Sequence, residues 1–307
     1  YWYGRYLERA EATLRVVRCL CARSIDMDVL SGNVPETIEK LTHLLVAWGA
    51  IAPEKEGQAP LEVARHALAD ESAYGSGLSG IRLARNASSV IRERISIDAS
   101  RLSRQIDVQF PSLGSLPSEV DVLDAADKAL EGLAALSGLT QESMNRDAGW
   151  RFLDIGKRIE RSILTCRIAR TFIDDEATAE DLEVMLDLVD SQITYRSRYM
   201  TGVAIAPVRD MVMLDPYNPR SVSFQLSAIR EHLAILPTLR NDGVPEEPQG
   251  IAAILATELQ MTKANEIDQQ AILAIEQRIL QLADAIAVRY FPRRHKGSMS
   301  PETSNLS

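Results

Sequence analysis

The sequence has few of the features that mark disulfide-rich, membrane-bound or nucleic-acid-binding proteins. Its 307 residues include only three cysteines, and this odd number excludes a fully paired disulfide framework. No apolar run is long enough to cross a bilayer. The formal net charge is −9, whereas nucleic-acid-binding proteins usually carry a basic excess. These shortages predict a cytoplasmic protein with three buried cysteines and neither a nucleic-acid nor a membrane partner.

Motifs of common enzyme classes are also scarce. The four histidines are scattered, so no spacing of histidine, cysteine and carboxylate residues resembles a metal site. The segment GSGLSG at Gly75–Gly80 has the letters of a dinucleotide-binding loop, but it follows a helical stretch and not a strand. We therefore expect an interhelical loop in which Ser76 or Ser79 caps the next helix, and no cofactor bound by this chain alone.

Apolar residues recur at helical spacing through most of the chain, and strand signals are rare. The sequence therefore predicts an all-α fold, a helical bundle of about ten helices. We expect one domain at 1–291, built from two duplicated helical halves at roughly 1–140 and 150–291. The polar tail at 292–307 is expected to be disordered.

Several helix ends have a chemical signal. In the segment DPYNPRS, Asn218 is expected to cap a helix whose first residue is Pro219. Ser118 is expected to cap another helix. The predicted helices are Gly4–Arg23, Pro35–Gly49, Pro60–Ala73, Leu78–Val108, Ser118–Ser137, Trp150–Phe172, Ala179–Tyr199, Pro219–Leu236, Pro248–Met261 and Asn265–Tyr290.

One short phrase occurs twice, as GRYLER from Gly4 and as GKRIER from Gly156, 152 residues later. Sliding the chain by that offset superposes Glu8–Arg9 on Glu160–Arg161. A second match, at an offset of 145 residues, sets Asp70, Ser76 and Arg85 against Asp215, Ser221 and Arg230. Two matches in the same order and at similar offsets predict a duplicated helical half, with a change of loop length between the copies.

Each copy of this phrase lies on a helix that is apolar on two sides. At helical spacing, Arg5 and Arg9 stand in line with apolar residues, and Lys157 and Arg161 do the same in the second copy. A helix that is apolar on two sides is sandwiched inside a bundle, so its charged groups become at least partly buried and need partners.

Two interpretations of these charges remain open. In the first, Glu8–Arg9 and Glu160–Arg161 pair with each other across the two repeats and form an ion-pair core. In the second, the arginines line a cavity and hold a carboxylate or a phosphate, which the guanidinium group binds well. The two are compatible, because a glutamate can orient an arginine that also meets a ligand.

Tyrosine and arginine alternate in the segment DSQITYRSRYM, and in an acidic chain this pattern suits an anionic small molecule or peptide better than a polynucleotide. Glu8 and Glu160 are the candidate catalytic residues, as general acids or bases. The full set of candidate ligand-binding residues is Arg5, Glu8, Arg9, Trp150, Asp154, Lys157, Glu160, Arg161, Tyr195, Arg196, Arg198, Arg220, Arg230 and His232.

Over nearly its whole length the chain resembles the bacterial alpha-E family, an all-helical domain named for its Glu-Arg motif. The segments that carry the resemblance are YWYGRYLERAE, GWRFLDIGKRIER, LDPYNPRS and REHL. Glu8–Arg9 and Glu160–Arg161 match the motif, and Trp150–Asp154 matches the family's Trp-Arg-Phe-x-Asp run. The chain departs from the family at Ser100, where an aromatic residue is usual. We also expect the sequence to start after a short N-terminal segment that is usual in the family.

The resemblance implies a genomic setting. Alpha-E proteins are encoded beside, or fused to, circularly permuted ATP-grasp ligases and transglutaminase-like proteases. This association implies an amide-bond or small-peptide pathway in which ATP and magnesium belong to the partner ligase. We expect an accessory, substrate-binding component; the alternatives are an autonomous enzyme that uses Glu8 or Glu160, and a purely structural scaffold for the ligase.

Overall fold

The structure is a computed structural model that describes residues 1–26, 35–200, 202–238 and 243–291. Across these ranges it contains thirteen α-helices and no β-strand, which confirms the predicted all-α fold. None of the described helices has the length and apolar character needed to cross a membrane. The helices are α1 (Trp2–Ile25), α2 (Glu36–Ala47), α3 (Pro60–Ala69), α4 (Gly77–Val90), α5 (Ile97–Val108), α6 (Glu119–Ser143), α7 (Ala148–Phe172), α8 (Ala179–Leu188), α9 (Gln192–Arg198), α10 (Ile205–Arg209), α11 (Val222–Ile235), α12 (Glu247–Met261) and α13 (Gln269–Tyr290).

Helices α1 and α7 lie at the centre and pack against each other. Helix α1 also packs on α4 and α6, while α7 packs on α11 and α13. Helix α1 buries Leu7, Leu14 and Cys21 on one side and Val16 and Leu20 on the other. The prediction that this helix is sandwiched in a bundle is therefore confirmed, and the residues of both Glu-Arg pairs lie at the contact of α1 and α7.

Two glycines bring α1 and α7 into backbone contact. A Cβ atom on Gly4 would overlap the carbonyl oxygen of Leu153, and a Cβ atom on Gly156 would overlap the carbonyl oxygen of Tyr1. The two contacts are reciprocal, because Tyr1 and Leu153 are separated by the same 152 residues as the two glycines. Only glycine permits this close approach of two helix backbones.

The serines of the second sequence match, Ser76 before α4 and Ser221 before α11, make the same hydrogen bonds. Ser76 accepts a hydrogen bond from the Ser79 amide at 3.1 Å and donates to the Asp70 carbonyl oxygen at 2.6 Å. Ser221 caps α11 in the same way and donates to the Asp215 carbonyl oxygen at 2.5 Å. The predicted cap at Ser76 is confirmed. The duplication itself stays a prediction, which these matching geometries support.

The predicted single helix Leu78–Val108 is wrong, because the chain breaks between α4 and α5. A 3-10 turn at Arg92–Arg94 follows α4. Ser96 then caps α5 by accepting a hydrogen bond from the Ala99 amide at 3.2 Å. The serine supplies the acceptor that a new helix start requires, and apolar periodicity alone did not reveal it.

The predicted single helix Ala179–Tyr199 is also wrong. Asp190 has φ of 54°, in the left-handed region, so α8 ends before it and α9 begins at Gln192. A helix cannot continue through a residue in this conformation, which aspartate tolerates better than most residues. These two splits, and the unpredicted α10 with the π-helical segment Asp210–Leu214, raise the helix number above the predicted ten.

The predicted cap at Asn218 and helix start at Pro219 are wrong, because α11 begins only after Ser221. The Asn218 side chain instead accepts a hydrogen bond from the Arg220 amide at 3.0 Å and donates to the Met211 carbonyl oxygen at 3.0 Å. It therefore fastens the turn before α11 to the segment that precedes it.

The remaining local predictions concern the cysteines, one cap and the tail. Cys19, Cys21 and Cys166 are all buried, as predicted, and burial raises the pKa of the Cys19 and Cys21 thiols to about 12. Ser118 caps α6 as predicted, in a capping box with Asp121. The tail at 292–307 lies outside the described residues.

We predict that Gly156→Ala lowers the free energy of unfolding by about 2 kcal/mol or more, because the added methyl group forces α1 and α7 apart. The control is Gly138→Ala in α6, where an added Cβ meets no atom within 4 Å. That change should stabilise the protein by about 0.5–1 kcal/mol through helix propensity. Urea unfolding measures both; equal effects of the two substitutions would contradict the close contact.

Candidate functional site

The buried carboxylate of Glu160 on α7 holds two arginines of α1. Arg5 donates from Nε to Oε2 at 2.6 Å, and Arg9 donates from Nε to Oε1 at 2.7 Å. Arg9 also donates from Nη1 to the Tyr74 hydroxyl at 2.6 Å. Because the Glu160 side chain is only 3% exposed, these charge-assisted hydrogen bonds compensate for its removal from water.

The reciprocal pair joins Glu8 of α1 to Arg161 of α7. Arg161 donates from Nε to Oε1 at 2.5 Å and from Nη2 to Oε2 at 2.7 Å, a bidentate contact. Burial alone would lower the pKa of Arg161, but the Glu8 carboxylate more than offsets this and raises it. The cross-pairing between repeats that the first interpretation predicts is therefore what the structure shows.

The two halves of this ion-pair core differ at one position. Lys157 occupies the place in α7 that Arg5 occupies in α1, yet it does not reach the carboxylate of the opposite helix. Its Nζ donates instead to the Ser137 hydroxyl at 2.7 Å. Burial lowers the pKa of Lys157, which makes its positive charge less stable than that of an exposed lysine.

A second charged group borders the Glu8–Arg161 pair. The Glu11 carboxylate accepts hydrogen bonds from Arg15 at 3.0 Å and from Arg220 at 3.1 Å. The same two arginines reach Asp190 Oδ2, at 3.2 and 3.0 Å. Burial by itself would raise the pKa of Glu11, but the surrounding cations, Arg220 first, hold it at about 2.

A small cleft lies between this second charged group and the ion-pair core. Its volume is about 30 Å³, and its walls include Glu8, Glu11, Arg15, Arg161 and Arg220. A volume of this order holds a single water molecule. The predicted cavity is therefore present only as a cleft the size of one water molecule, and a larger anion would need arginine side chains to move.

A third group surrounds Asp154 and His232. His232 Nε2 lies 2.7 Å from Asp154 Oδ2, and Arg151 Nη1 lies 3.2 Å from His232 Nδ1. Since arginine can only donate, Nδ1 is the acceptor and Nε2 carries the proton. Trp150 packs edge-on against the imidazole at 5.2 Å. His232 therefore bridges two helices through hydrogen bonds, as a buried histidine commonly does.

The other candidates lie apart from the ion-pair core. Tyr195 is buried, and its hydroxyl accepts a hydrogen bond from the Ala204 amide at 3.1 Å, so it holds a loop in place. Arg198 pairs with Asp215 at 2.7 Å. Arg196 is exposed, and neither it nor Arg230 has an ion-pair partner among the described residues. The sequence analysis grouped these side chains with the Glu-Arg residues as one candidate site. Among the described contacts, none joins them to Glu8 or Glu160.

Sequence reasoning missed Glu11, Arg15 and Asp190, although Glu11 and Arg15 carried a usable signal. They are four residues apart on α1 with the acidic residue first, the spacing of a favourable helical ion pair. Asp190 carried no such signal, because its place depends on the turn between α8 and α9. In the described part of the chain, no three potential ligands are arranged to hold a metal ion.

The fold and the site together define an all-helical protein in which two central helices exchange Glu-Arg pairs. The chain belongs to the Alpha-E family, described as a predicted alpha-helical domain with a conserved ER motif, and the family matches residues 1–291. Glu8–Arg9 and Glu160–Arg161 are Glu-Arg sequences of this kind. In the structure, each glutamate of these pairs binds an arginine of the opposite pair.

Relatives of the chain include two uncharacterized proteins. One is uncharacterized protein Rv2567 of Mycobacterium tuberculosis and the other is uncharacterized protein Mb2597 of Mycobacterium bovis. Each is 28% identical over 308 residues, which cover 93% of this chain and 34% of the relative. The chain thus spans about a third of the length of these curated relatives. No solved structure matches it with significance.

We predict that Arg161→Met destabilises the protein more than Arg9→Met, the same change at the equivalent position of the other half. Among the described residues, Arg161 is the only arginine bound to Glu8, so its loss leaves a buried carboxylate without its partner and should cost about 3–5 kcal/mol. After Arg9→Met, Glu160 keeps Arg5, and the cost should be about 1–2 kcal/mol. Free energies of unfolding from denaturant titration test this prediction. Equal decreases for the two variants would contradict the different pairing of Glu8 and Glu160.

We predict that Asp154 contributes acid-sensitive stability. Burial by itself would raise its pKa, but hydrogen bonds from His232 and Arg158 lower it from 3.8 to about 2. A carboxyl group with a depressed pKa stabilises the fold above its unfolded pKa, and this contribution of about 2 kcal/mol is lost as the pH falls from 4 towards 2.

The test compares Asp154→Asn with Asp98→Asn, a change at an exposed aspartate of α5. Urea unfolding at a series of pH values measures the free energy of unfolding of each protein. At neutral pH this free energy should be lower for Asp154→Asn than for the unmodified protein, and the difference should become smaller below pH 4. Asp98→Asn should stay within about 0.5 kcal/mol throughout. A constant difference at all pH values for Asp154→Asn would contradict the depressed pKa.

Proposed function

We propose that this protein is the substrate-binding, accessory component of an ATP-grasp amide-ligase system. In this proposal the chain holds an anionic, peptide-like ligand, and a partner ligase supplies ATP, magnesium and the acyl-phosphate chemistry. Two considerations support a role within a larger assembly. The chain belongs to the Alpha-E family, and the resemblance described above implies the genomic setting beside a ligase. The curated relatives carry the matched region within a polypeptide about three times as long.

The observation that carries the proposal is a local excess of positive charge inside an acidic protein. The ion-pair core and the adjoining cleft bring six cationic side chains together with four carboxylates, while the whole chain has a net charge of −9. The surplus comes from Lys157 and from the two arginines that share Glu160, whereas three cations face three carboxylates around the cleft itself. The charge of Lys157 acts on Glu11 in the wall of the cleft, so the surplus favours an anionic ligand there. The cations are Arg5, Arg9, Arg15, Lys157, Arg161 and Arg220, and the carboxylates are Glu8, Glu11, Glu160 and Asp190.

The geometry suggests where the ligand carboxylate would bind. Arg15 and Arg220 both donate to Asp190, whose side chain is 57% exposed at the rim of the cleft. Asp190 also has a positive φ, a conformation that most residues avoid. A ligand carboxylate would displace that of Asp190 and take its place between the two guanidinium groups, which widens the cleft without breaking the buried Glu8–Arg161 pair.

Proton transfer by Glu8 or Glu160 is the alternative, and the contacts favour an orienting role over it. Both oxygens of each carboxylate already accept hydrogen bonds from guanidinium groups. Arginine keeps its proton at all physiological pH values, so the guanidinium groups bound to these two carboxylates do not exchange a proton with them. An autonomous enzyme would turn over candidate amides without the ligase, and a pure scaffold would bind the ligase without binding any ligand.

We predict that short peptides with a free terminal carboxylate bind this site. Isothermal titration calorimetry with Glu-Glu and Ala-Ala should show binding, and the corresponding C-terminal amides should bind more weakly. Arg220→Gln should weaken binding at least tenfold, a loss of about 1.4 kcal/mol. Asp190→Asn should strengthen it several-fold, because the internal competitor loses its charge.

The control is Arg278→Gln, which removes an arginine that pairs with Glu258 on the surface of α12 and α13. This variant should bind the peptides as the unmodified protein does. If Arg220→Gln and Arg278→Gln have the same effect, or if Asp190→Asn weakens binding, the proposed carboxylate position is wrong. If no peptide binds while the ligase still captures the chain, the scaffold alternative is favoured.

A further inference from the structure

A surface groove that contains none of the Glu-Arg residues lies between α6 and the end of α5. Its volume is about 720 Å³. One wall is α6 from Asp121 to Ala135, a length of about 21 Å at 1.5 Å per residue. The opposite wall is formed by α5 and by the segment that follows it, which includes Phe110 and Leu116. The groove therefore extends along several turns of α6 and would suit an elongated ligand.

Apolar residues form part of the lining of the groove, beside polar ones such as Gln105 and Gln109. Leu102 of α5 and Ala125 of α6 are half-buried and so remain open to an occupant, whereas Ile106 is already buried. The Ala125 side chain is short, so an occupant can approach the α6 backbone closely at this position. Removing this apolar surface from water would stabilise a complex.

The rim of the groove is acidic. Asp124 and Glu131 line it on the exposed side of α6, and neither forms an ion pair with any described residue. They are seven residues apart, so they are separated by two helical turns, or about 10.5 Å. Lys128 is the single cation among the lining residues. Unpaired carboxylates beside apolar lining residues are complementary to a ligand with an apolar face and basic groups two turns apart.

A helix fits this description better than an extended strand does. Peptides that bind in extended form usually add a strand to an exposed sheet edge, and the described residues contain no strand. The alternative mode places the apolar face of an amphipathic helix in a groove between helices. A groove about 21 Å long accommodates close to four turns of such a helix.

We propose that this groove is a docking site for a basic amphipathic α-helix of a partner protein. The apolar face of that helix lies on Leu102 and Ala125. Lysine or arginine residues two turns apart on the helix pair with Asp124 and Glu131. This proposal does not depend on the anion-binding role of the Glu-Arg site.

The test uses a fluorescein-labelled synthetic peptide of leucine and lysine, about 15 residues long, with apolar residues at helical spacing. Fluorescence anisotropy against the full chain should show saturable binding that weakens at high salt. A leucine–glutamate peptide of the same pattern should bind at least tenfold more weakly. A leucine–lysine peptide with two internal prolines, which cannot form the helix, should bind as weakly.

Three variants then locate the binding. Asp124→Lys/Glu131→Lys should weaken binding of the basic peptide at least tenfold, and Ala125→Phe should weaken it by filling the groove. The control Glu142→Lys/Glu183→Lys changes two exposed glutamates outside the groove and alters the net charge by the same amount. It corrects for non-specific attraction to an acidic protein, and circular dichroism checks that all variants keep their helical content.

The outcomes decide the proposal in either direction. Tenfold weaker binding in the groove variants, with little change in the control, supports it. Absence of binding, equal losses in the two charge-reversed variants, or equal binding of the proline-containing peptide overturns it. Self-association of the chain that Ala125→Phe abolishes would assign the groove to a second copy, and would also overturn the proposal.

Discussion

The whole arrangement depends on the exchange of Glu-Arg pairs across the contact of α1 and α7. Glu8 binds Arg161, and Glu160 binds Arg9, at an interface where two glycines let the backbones touch. Neither charge is tolerable there alone, because an unpaired buried carboxylate or guanidinium loses its hydration without compensation. The close backbone contact and the paired charges therefore require each other. The glycines bring the two helices close enough for each glutamate to reach an arginine of the opposite helix. These ion pairs compensate the charges that the close packing removes from water.

That constraint explains why so many arginines point inward in an acidic protein. Each buried carboxylate of the centre needs several hydrogen-bond donors, and arginine supplies them in a planar arrangement that lysine does not have. Lys157 shows the difference, since it stands where Arg5 stands in the other half and binds a hydroxyl in place of a carboxylate. The mismatch leaves positive charge that the internal carboxylates do not neutralise, and this excess is the basis on which we propose an anionic ligand.

The sequence predicted what depends on periodicity and local chemistry. Apolar spacing predicted the all-α class and the two-sided burial of α1, and the repeated Glu-Arg phrase gave the cross-pairing as one of two interpretations. The helix break at Asp190 could not be predicted in this way, because aspartate tolerates the left-handed backbone conformation better than most residues but adopts it only in a minority of cases, so its presence is a weak signal. The Asn218 side chain likewise acts through Met211, a partner that only the folded chain brings near. The cleft beside Glu11 combines residues from α1, α7 and two loops, so no single sequence window contains it.

The pseudo-symmetric and the asymmetric features of this protein suggest different roles. The features that match between the halves are the glycine contacts, the Glu-Arg pairs and the serine caps. They allow close backbone packing or pair buried polar and charged groups, so they stabilise the fold. We expect a ligand to bind where the halves differ, because the matching side chains already use their hydrogen-bond donors and acceptors within the protein. Glu11 has Ile163 as its counterpart in α7, and Arg15 has Arg167, which binds Glu276 and not a surface aspartate. Among the described residues, the cleft lined by Glu11, Arg15 and Arg220 therefore occurs in one half only, and the ligand that we propose would compete for these arginines without breaking the ion-pair core.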